Sequence, residues 1–384
     1  MHRRSGPIHR ARQPEDPERA VRPDKEGYSE SSQRDHKMRR KTRVVQIGKV
    51  KVGGNNPISI QSMTTTDTKD AKATIAQIHG LEEIGCEIIR VSAPDMASAM
   101  ALKEIKENIS IPLVADIHYD YRIALEAAKY VDKLRINPGN IGTPDKVKMV
   151  VEEAKQRSLP IRIGVNLGSL ERPLFLKYGY AAEAMVESAI RHVKILEELD
   201  FYDTIVSLKA SDVPRMVKAY ELFAEKTDYP LHLGVTEAGG KMNGSIKSAM
   251  GMGILLQKGI GDTIRVSLSD DPREEVRAGW QILKSMGLRK RGVDVTSCPT
   301  CARTHMDVIK MTEEIEKATE RMTKPLHVAI MGCSVNGPGE SGKADIGIVG
   351  APGKHLLYRS GKFVKPVKDD EIFSALLEEI QKEQ

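Results

Sequence analysis

Asp132-Lys133-Leu134-Arg135-Ile136-Asn137 and Ile161-Arg162-Ile163-Gly164-Val165-Asn166 flank a stretch over 144–157 in which apolar residues return every three or four positions. In both runs Arg and Asn sit at even spacing with Leu, Ile or Val between them, the two-residue period of a strand. The three segments therefore read as one strand, helix, strand unit. The unit recurs in both directions along the chain. Further β-rich runs lie at 58–63, 87–92, 112–117, 203–209, 231–236 and 262–268, with helical patterns at 70–84, 97–106, 182–199 and 271–286. Eight strands alternating with helices in about 230 residues predict a TIM-like (β/α)8 barrel. A doubly wound open sheet is the competing arrangement, but it would gather its polar residues near one switch point. Here they gather at the carboxyl ends of nearly all eight strands.

After Gly287 the pattern changes. A cysteine turn, a helix over 306–322, strands at 326–331 and 344–349, a hairpin turning at Ser360-Gly361 and a closing helix over 370–382 predict a small α+β domain. The expected organisation is an extension over 1–43, a barrel over 44–287 and the small domain over 288–384. Of the 384 residues 40% are hydrophobic, enough for a core in each folded part. No apolar run approaches the roughly 18 residues of a membrane span. The amino terminus has no apolar signal segment, so a reducing cytoplasm is expected, which also suits free thiols. The net charge of +6 lies wholly in residues 1–43, which hold 13 Lys/Arg and 7 Asp/Glu and leave 46 of each to the remainder. That segment, with four prolines and few large apolar residues, reads as disordered. A nucleic-acid-binding arm is the non-enzymatic alternative it allows. The balanced body argues against nucleic acid as the main partner.

Near the strand ends stand Arg90-x-Ser92, Arg135-x-Asn137, Arg162-x-x-x-Asn166, Ser207-x-Lys209 and Arg265-x-Ser267. Alternation puts the members of each set on one face of their strand, and a barrel turns those faces to a single mouth. Four Arg and one Lys converging there are costly without an anion, and guanidinium forks suit phosphate oxygens, so a diphosphate or bis-anionic substrate is expected. Asp116 and Glu237, also at strand ends, are the acid/base candidates. His118 and His232 read as packing residues and Cys86 as core. A phosphate-loop reading of residues 347–354 fails, because Ile348 stands where the first glycine belongs and His355 where a hydroxyl residue belongs.

Cys298-Pro299-Thr300-Cys301 places two thiols on one tight turn. Gly332-Cys333 adds a third beside Asn336-Gly337-Pro338-Gly339, and Glu340 follows seven residues after Cys333. Three thiolates and a carboxylate suit a metal or cluster. Spacing alone leaves zinc, in a barrel enzyme acting on a sugar phosphate, and an iron-sulfur cluster both open.

The assembled chain closely resembles the 4-hydroxy-3-methylbut-2-enyl diphosphate synthase family from about Thr42 onward. The resemblance is carried by Gly53-Gly54-Asn55-Asn56, Gln61-Ser62-Met63-Thr64, Ala115-Asp116-Ile117-His118, Arg135-Ile136-Asn137-Pro138-Gly139-Asn140, Arg162-Ile163-Gly164-Val165-Asn166 and both cysteine runs. Ala302 departs from the glycine expected after the second cysteine. The resemblance implies a TIM-like barrel, a ferredoxin/sulfite-reductase-like second domain, and a [4Fe-4S] cluster on Cys298, Cys301, Cys333 and Glu340. It further implies reductive ring opening and dehydration of 2-C-methyl-D-erythritol 2,4-cyclodiphosphate, with two electrons from flavodoxin or ferredoxin, in the bacterial two-domain form. That form is a head-to-tail homodimer in which one subunit's cluster caps the other's barrel. Carried over by residue, Arg90, Arg135, Arg162, Asn166, Lys209, Arg265 and Ser267 would bind substrate, and Asp116 and Glu237 would be the acid/base candidates.

Overall fold

The computed structural model describes residues 39–383, so the disorder expected of the preceding arm lies outside the described residues. The described residues divide into two compact units, one holding residues 39–292 with 320–325, the other residues 293–319 with 326–383.

The first unit opens with a hairpin, β1 (Val45–Ile47) and β2 (Val50–Val52), paired antiparallel. Eight parallel strands follow: β3 (Ser59–Met63), β4 (Ile88–Ser92), β5 (Leu113–Asp116), β6 (Lys133–Arg135), β7 (Ile161–Asn166), β8 (Thr204–Lys209), β9 (His232–Leu233) and β10 (Thr263–Ile264). Their order is β8-β7-β6-β5-β4-β3-β10-β9. A parallel bridge between Val206 and Leu231, with Val206 N–H donating to Pro230 C=O at 3.0 Å, joins β8 to the segment entering β9 and closes the barrel. Leu134, Ile163, Val206 and Leu208 face outward into the helix layer. Lys133, Arg135, Arg162, Ser207 and Lys209 take the alternate, inward positions, and all five are buried. Among the helices, Tyr121–Ala127, Val213–Lys226 and Lys241–Gln257 complete the alternation. Asp70, Asp95, Asp120, Asp212 and Asp271 each cap a helix through a side-chain oxygen, fixing where the chain turns from loop into helix.

At both ends the contacts of the barrel reach beyond residues 44–287. Residues 39–43 belong with the barrel: Arg39 bonds Asp262 at 2.8 Å, Arg40 bonds Ala224 C=O at 3.2 Å, and the Arg43 guanidinium lies 4.0 Å from the Tyr229 ring centre. Charge and proline content marked them as arm, but each arginine has a fixed partner. At the other end the barrel runs on past Gly287. Arg289 donates to Ile58 C=O at 2.6 Å and pairs with Glu87 at 2.9 Å.

In the second unit β11 (Val293–Ser297), β12 (Leu326–Met331) and β13 (Ile346–Val349) run parallel. β14 (His355–Arg359) and β15 (Lys362–Val367) complete the sheet antiparallel. Helices Val308–Thr319, Gly337–Lys343 and Ile372–Lys382 accompany the sheet. The Gly337-Pro338-Gly339 segment after the third cysteine opens a short helix, Gly337–Lys343. Pro338 suits the start of a helix because it has no N–H to leave unpaired, and Glu340 lies in the first turn.

Candidate active site

The inward residues of the barrel form a mouth lined by cations. Arg90 (β4), Arg135 (β6), Arg162 (β7) and Lys209 (β8) are all buried, and Arg265, just past β10, is half-buried. Asp116, ending β5, lies between two of them. Arg135 Nη1 donates to it at 3.0 Å and Arg90 Nε stands 3.6 Å away. Burial would raise this carboxyl, but Arg90, Arg135 and Arg162 together hold it at about 2, so it is ionised at neutral pH. Arg135 also donates to Gly164 C=O at 2.9 Å. Arg162 donates through Nη1 to Ser207 Oγ at 2.6 Å, while its buried Nε and Nη2 have no partner among the described residues. Burial, and then Arg90 and Arg135, push the Arg162 guanidinium well below its ordinary pKa. Lys209 is depressed for the same first reason, with Arg265 and Arg162 adding to it. Buried donors left unpaired beside like charges are poised for an anion.

Two glycines make room for this ring. A Cβ at Gly164 would meet Arg135 Nε and Nη2 at 2.6 Å, and one at Gly234 would meet Lys209 Nζ at 2.7 Å. The cationic heads therefore lie across bare backbone. Asn166 and Ser267 are half-buried at the same strand ends. Asn137 is occupied with the backbone of Gly164, donating to its C=O and accepting from its N–H. Glu237 is exposed on the loop after β9 with φ of 52°. His118 Nδ1 lies 3.3 Å from Arg135 Nη1, closer to the ring than a packing role implies.

Strand-end reasoning missed Glu275, on helix Pro272–Ser285. This buried carboxylate stands 3.4 Å from Arg265, accepts from Ser62 Oγ at 3.1 Å and accepts from Leu268 N–H at 3.0 Å. Nothing in a helical position signals an inward carboxylate. Lys133 and Gln61 were missed too, although Lys133 lies two residues before Arg135 and alternation points it inward. Lys133 Nζ donates to Gln61 Oε1 at 3.3 Å.

In the second unit, β11 and β12 are neighbours with Ser297 level with Ile330, so Cys298 and Cys333 leave the same end of the sheet. Cys298 N–H donates to Ile330 C=O at 3.3 Å, and Gly332 N–H donates to Cys298 Sγ at 3.1 Å. The turn carrying Cys301 folds back through His305 N–H to Gly332 C=O at 2.8 Å. The Arg303 backbone N–H, and then its charge, draw the exposed Cys301 thiol below its ordinary pKa. Glu340 lies 3.7 Å from Lys343. Among the described residues no three His, Cys, Asp or Glu side chains close to metal-holding geometry. The donor set nonetheless fits an iron-sulfur cluster: three thiols free of any disulfide at one sheet end, with an N–H already directed at a sulfur. Cys86 is buried, as expected of core, and its thiol is pushed up to about 12 by desolvation.

The family described as the GcpE TIM-barrel domain matches residues 42–280, and the GcpE protein C-terminal domain matches residues 294–382. The chain is 57% identical over 348 residues to a 4-hydroxy-3-methylbut-2-en-1-yl diphosphate synthase (flavodoxin) of Caldanaerobacter subterraneus subsp. tengcongensis, covering 90% of this chain and 98% of that one. It is 56% identical to the enzyme so named in Geobacillus thermodenitrificans, with 90% and 92% covered. For the one in Thermodesulfovibrio yellowstonii the identity is 54%, with 90% and 99% covered. Among solved structures, a truncated 3-deoxy-D-arabino-heptulosonate 7-phosphate synthase from Thermotoga maritima aligns with a TM-score of 0.47 at 14% identity, over 64% of this chain and 94% of that one.

Proposed function

Since this chain belongs to the GcpE family, we propose that its barrel mouth binds the diphosphate of 2-C-methyl-D-erythritol 2,4-cyclodiphosphate. The reaction is reductive ring opening and dehydration to 4-hydroxy-3-methylbut-2-enyl diphosphate, a step of isoprenoid biosynthesis. The protein is an iron-sulfur oxidoreductase, and the relatives' names give flavodoxin as electron donor. The zinc-enzyme and nucleic-acid alternatives are not favoured. Among the described residues no helix is long and apolar enough to cross a membrane.

One observation carries the site reading. Among the described residues, Arg90, Arg135, Arg162, Lys209 and Arg265 share only Asp116 and Glu275 as carboxylate partners, and Arg162 and Lys209 pair with neither. An anion is what that imbalance calls for. Arg162 and Lys209 hold phosphate oxygens, Arg90, Arg135 and Arg265 complete the clamp, and Asn166 and Ser267 orient hydroxyl groups. As the carbon–oxygen bond to phosphate breaks, negative charge grows on the departing oxygen where these donors already point. Asp116, ionised and held between Arg90 and Arg135, orients the guanidinium groups. Glu237 is the better placed of the two acid/base candidates, being exposed rather than locked in ion pairs, and delivers the proton with which the lost hydroxyl leaves as water.

Cys298, Cys301, Cys333 and Glu340 would hold the [4Fe-4S] cluster, which when bound would relay the donor's two electrons one at a time to the reduction. The rim of the barrel exposes Tyr119, Leu176, Tyr180 and Met242, large apolar surface that supports a second copy covering the mouth in a head-to-tail dimer. The test pairs two variants. Arg162→Ala is expected to keep its iron and weaken substrate binding by about tenfold or more, one charged hydrogen bond being worth about 1.5–3 kcal/mol. Cys333→Ser is expected to lose most iron and keep substrate affinity. Unchanged affinity in the first, or full iron in the second, overturns the corresponding half of the assignment.

A further inference from the structure

Beneath the mouth the barrel holds a second polar layer that the reaction leaves unassigned. Lys133 (β6) is fully buried, and its hydrogen bond is to a neutral amide, Gln61 on β3. The charged and titratable groups acting on it are Arg162 on β7 and Arg90 on β4, with His232 on β9 in the same field. Arg135 stands two residues along its own strand, and Asp116 on β5 is taken up by Arg90 and Arg135. Gln61 Nε2, Thr263 Oγ1 and both ring nitrogens of His232 are buried without partners among the described residues. Below this layer the hairpin seals the barrel, Val45, Ile47 and Val52 packing on Ile88, Val114 and Ile205.

An ammonium in such a place is shut off from bulk solvent and, among the described residues, has no carboxylate partner, so it lacks the two things that make a buried charge tolerable. Desolvation, then Arg162 and Arg90, push Lys133 well below the ordinary lysine range. A diphosphate seated above offsets most of that field, because its two negative charges enter a lumen where, with Lys133 uncharged, five cations face two carboxylates.

We propose that Lys133 is the proton-accepting charge compensator of the diphosphate site, uncharged in the free enzyme and protonated from solvent as the anionic substrate binds. The proton adds to the Nζ lone pair, the buffer gives it up, and Gln61 Oε1 accepts a hydrogen bond from the ammonium formed. Because the hairpin closes the lower end, the proton enters by the mouth past Arg162 and His232. The proposal rests on the mouth being the diphosphate site. It adds that binding is linked to pH: proton uptake makes affinity fall as pH rises, by up to about tenfold per pH unit for one proton.

The test is calorimetric titration of the cyclic diphosphate into oxidised holoenzyme without reductant, so that binding is not followed by turnover, in buffers of different ionisation enthalpy. Wild type is expected to take up close to one proton more per substrate bound than Lys133→Met, which removes the acceptor. Lys133→Arg, charged at every working pH, is expected to lose the same uptake. If either variant folds poorly, the wild-type measurement still decides, since no net uptake and a pH-independent Kd overturn the proposal. Uptake that persists undiminished in a folded Lys133→Met protein moves the acceptor to Lys209 or His232 and also overturns it. Absence of binding in wild type itself, or binding indifferent to Arg162→Ala, instead marks failure of the site reading.

Discussion

At Gly164 a methyl group would stand 2.6 Å from two nitrogens of Arg135, the guanidinium that bonds Asp116 and the Gly164 carbonyl. The clash is with the far end of a side chain, so the strand can absorb it while the cation cannot stay in place. Gly164→Ala is therefore expected to weaken substrate binding about tenfold, the worth of one charged hydrogen bond. It should move the unfolding temperature by no more than about 2 °C, as a well-tolerated substitution does. Comparison of substrate Kd with thermal melts checks both, and a large loss of stability with unchanged Kd would show that the glycine serves the fold alone. At this scale much was legible. Arg90, Arg135, Arg162, Lys209 and Arg265 announce themselves because strand alternation converts spacing into direction. Glu275 does not, because it reaches the ring from a helix, nor does Lys133, which stands at the start of its strand rather than at the carboxyl end where the other cations gather.

The barrel's repeating units could be read because parallel strands covered by helices carry long apolar runs, and the helices between them keep a three-to-four-residue period. The hairpin β1–β2 could not, since strands of three residues are too short to show a period. Its importance appears only in packing, where Ile47 is fully buried with Val45 and Val52 against the inward side chains of β4, β5 and β8. Ile47→Ala is expected to destabilise the barrel by about 2–5 kcal/mol through the cavity it leaves. Urea denaturation measures that loss, and iron content, which depends on the second unit, should stay at the wild-type level. The helix Gly337–Lys343 was hidden for the opposite reason. Glycine and proline usually punctuate a chain, but here Pro338 occupies the helix's first turn and Gly337 lies so close to Val349 that a Cβ would meet its Cγ1 at 2.3 Å.

For the molecule as a whole the sequence separates two kinds of chemistry, anion binding in residues of the barrel and thiol ligation in residues of the small domain. The proposed head-to-tail dimer assigns each reaction centre to the barrel of one copy and the cluster of another, which makes a sharp genetic prediction. Arg162→Ala spoils a barrel and spares a cluster; Cys333→Ser does the reverse. At substrate concentrations well below the weakened Kd of Arg162→Ala, each variant alone has about a tenth of wild-type activity or less, for its own reason. When the two are unfolded, mixed in equal amounts, refolded and reconstituted with iron and sulfide, half the dimers are mixed. In each mixed dimer one centre combines an intact barrel with an intact cluster. Random pairing then predicts recovery of about a quarter of wild-type activity in a twofold-symmetric dimer. If barrel and cluster of the same chain worked together, no mixed dimer would hold an intact pair, and the mixture would stay as inactive as its components.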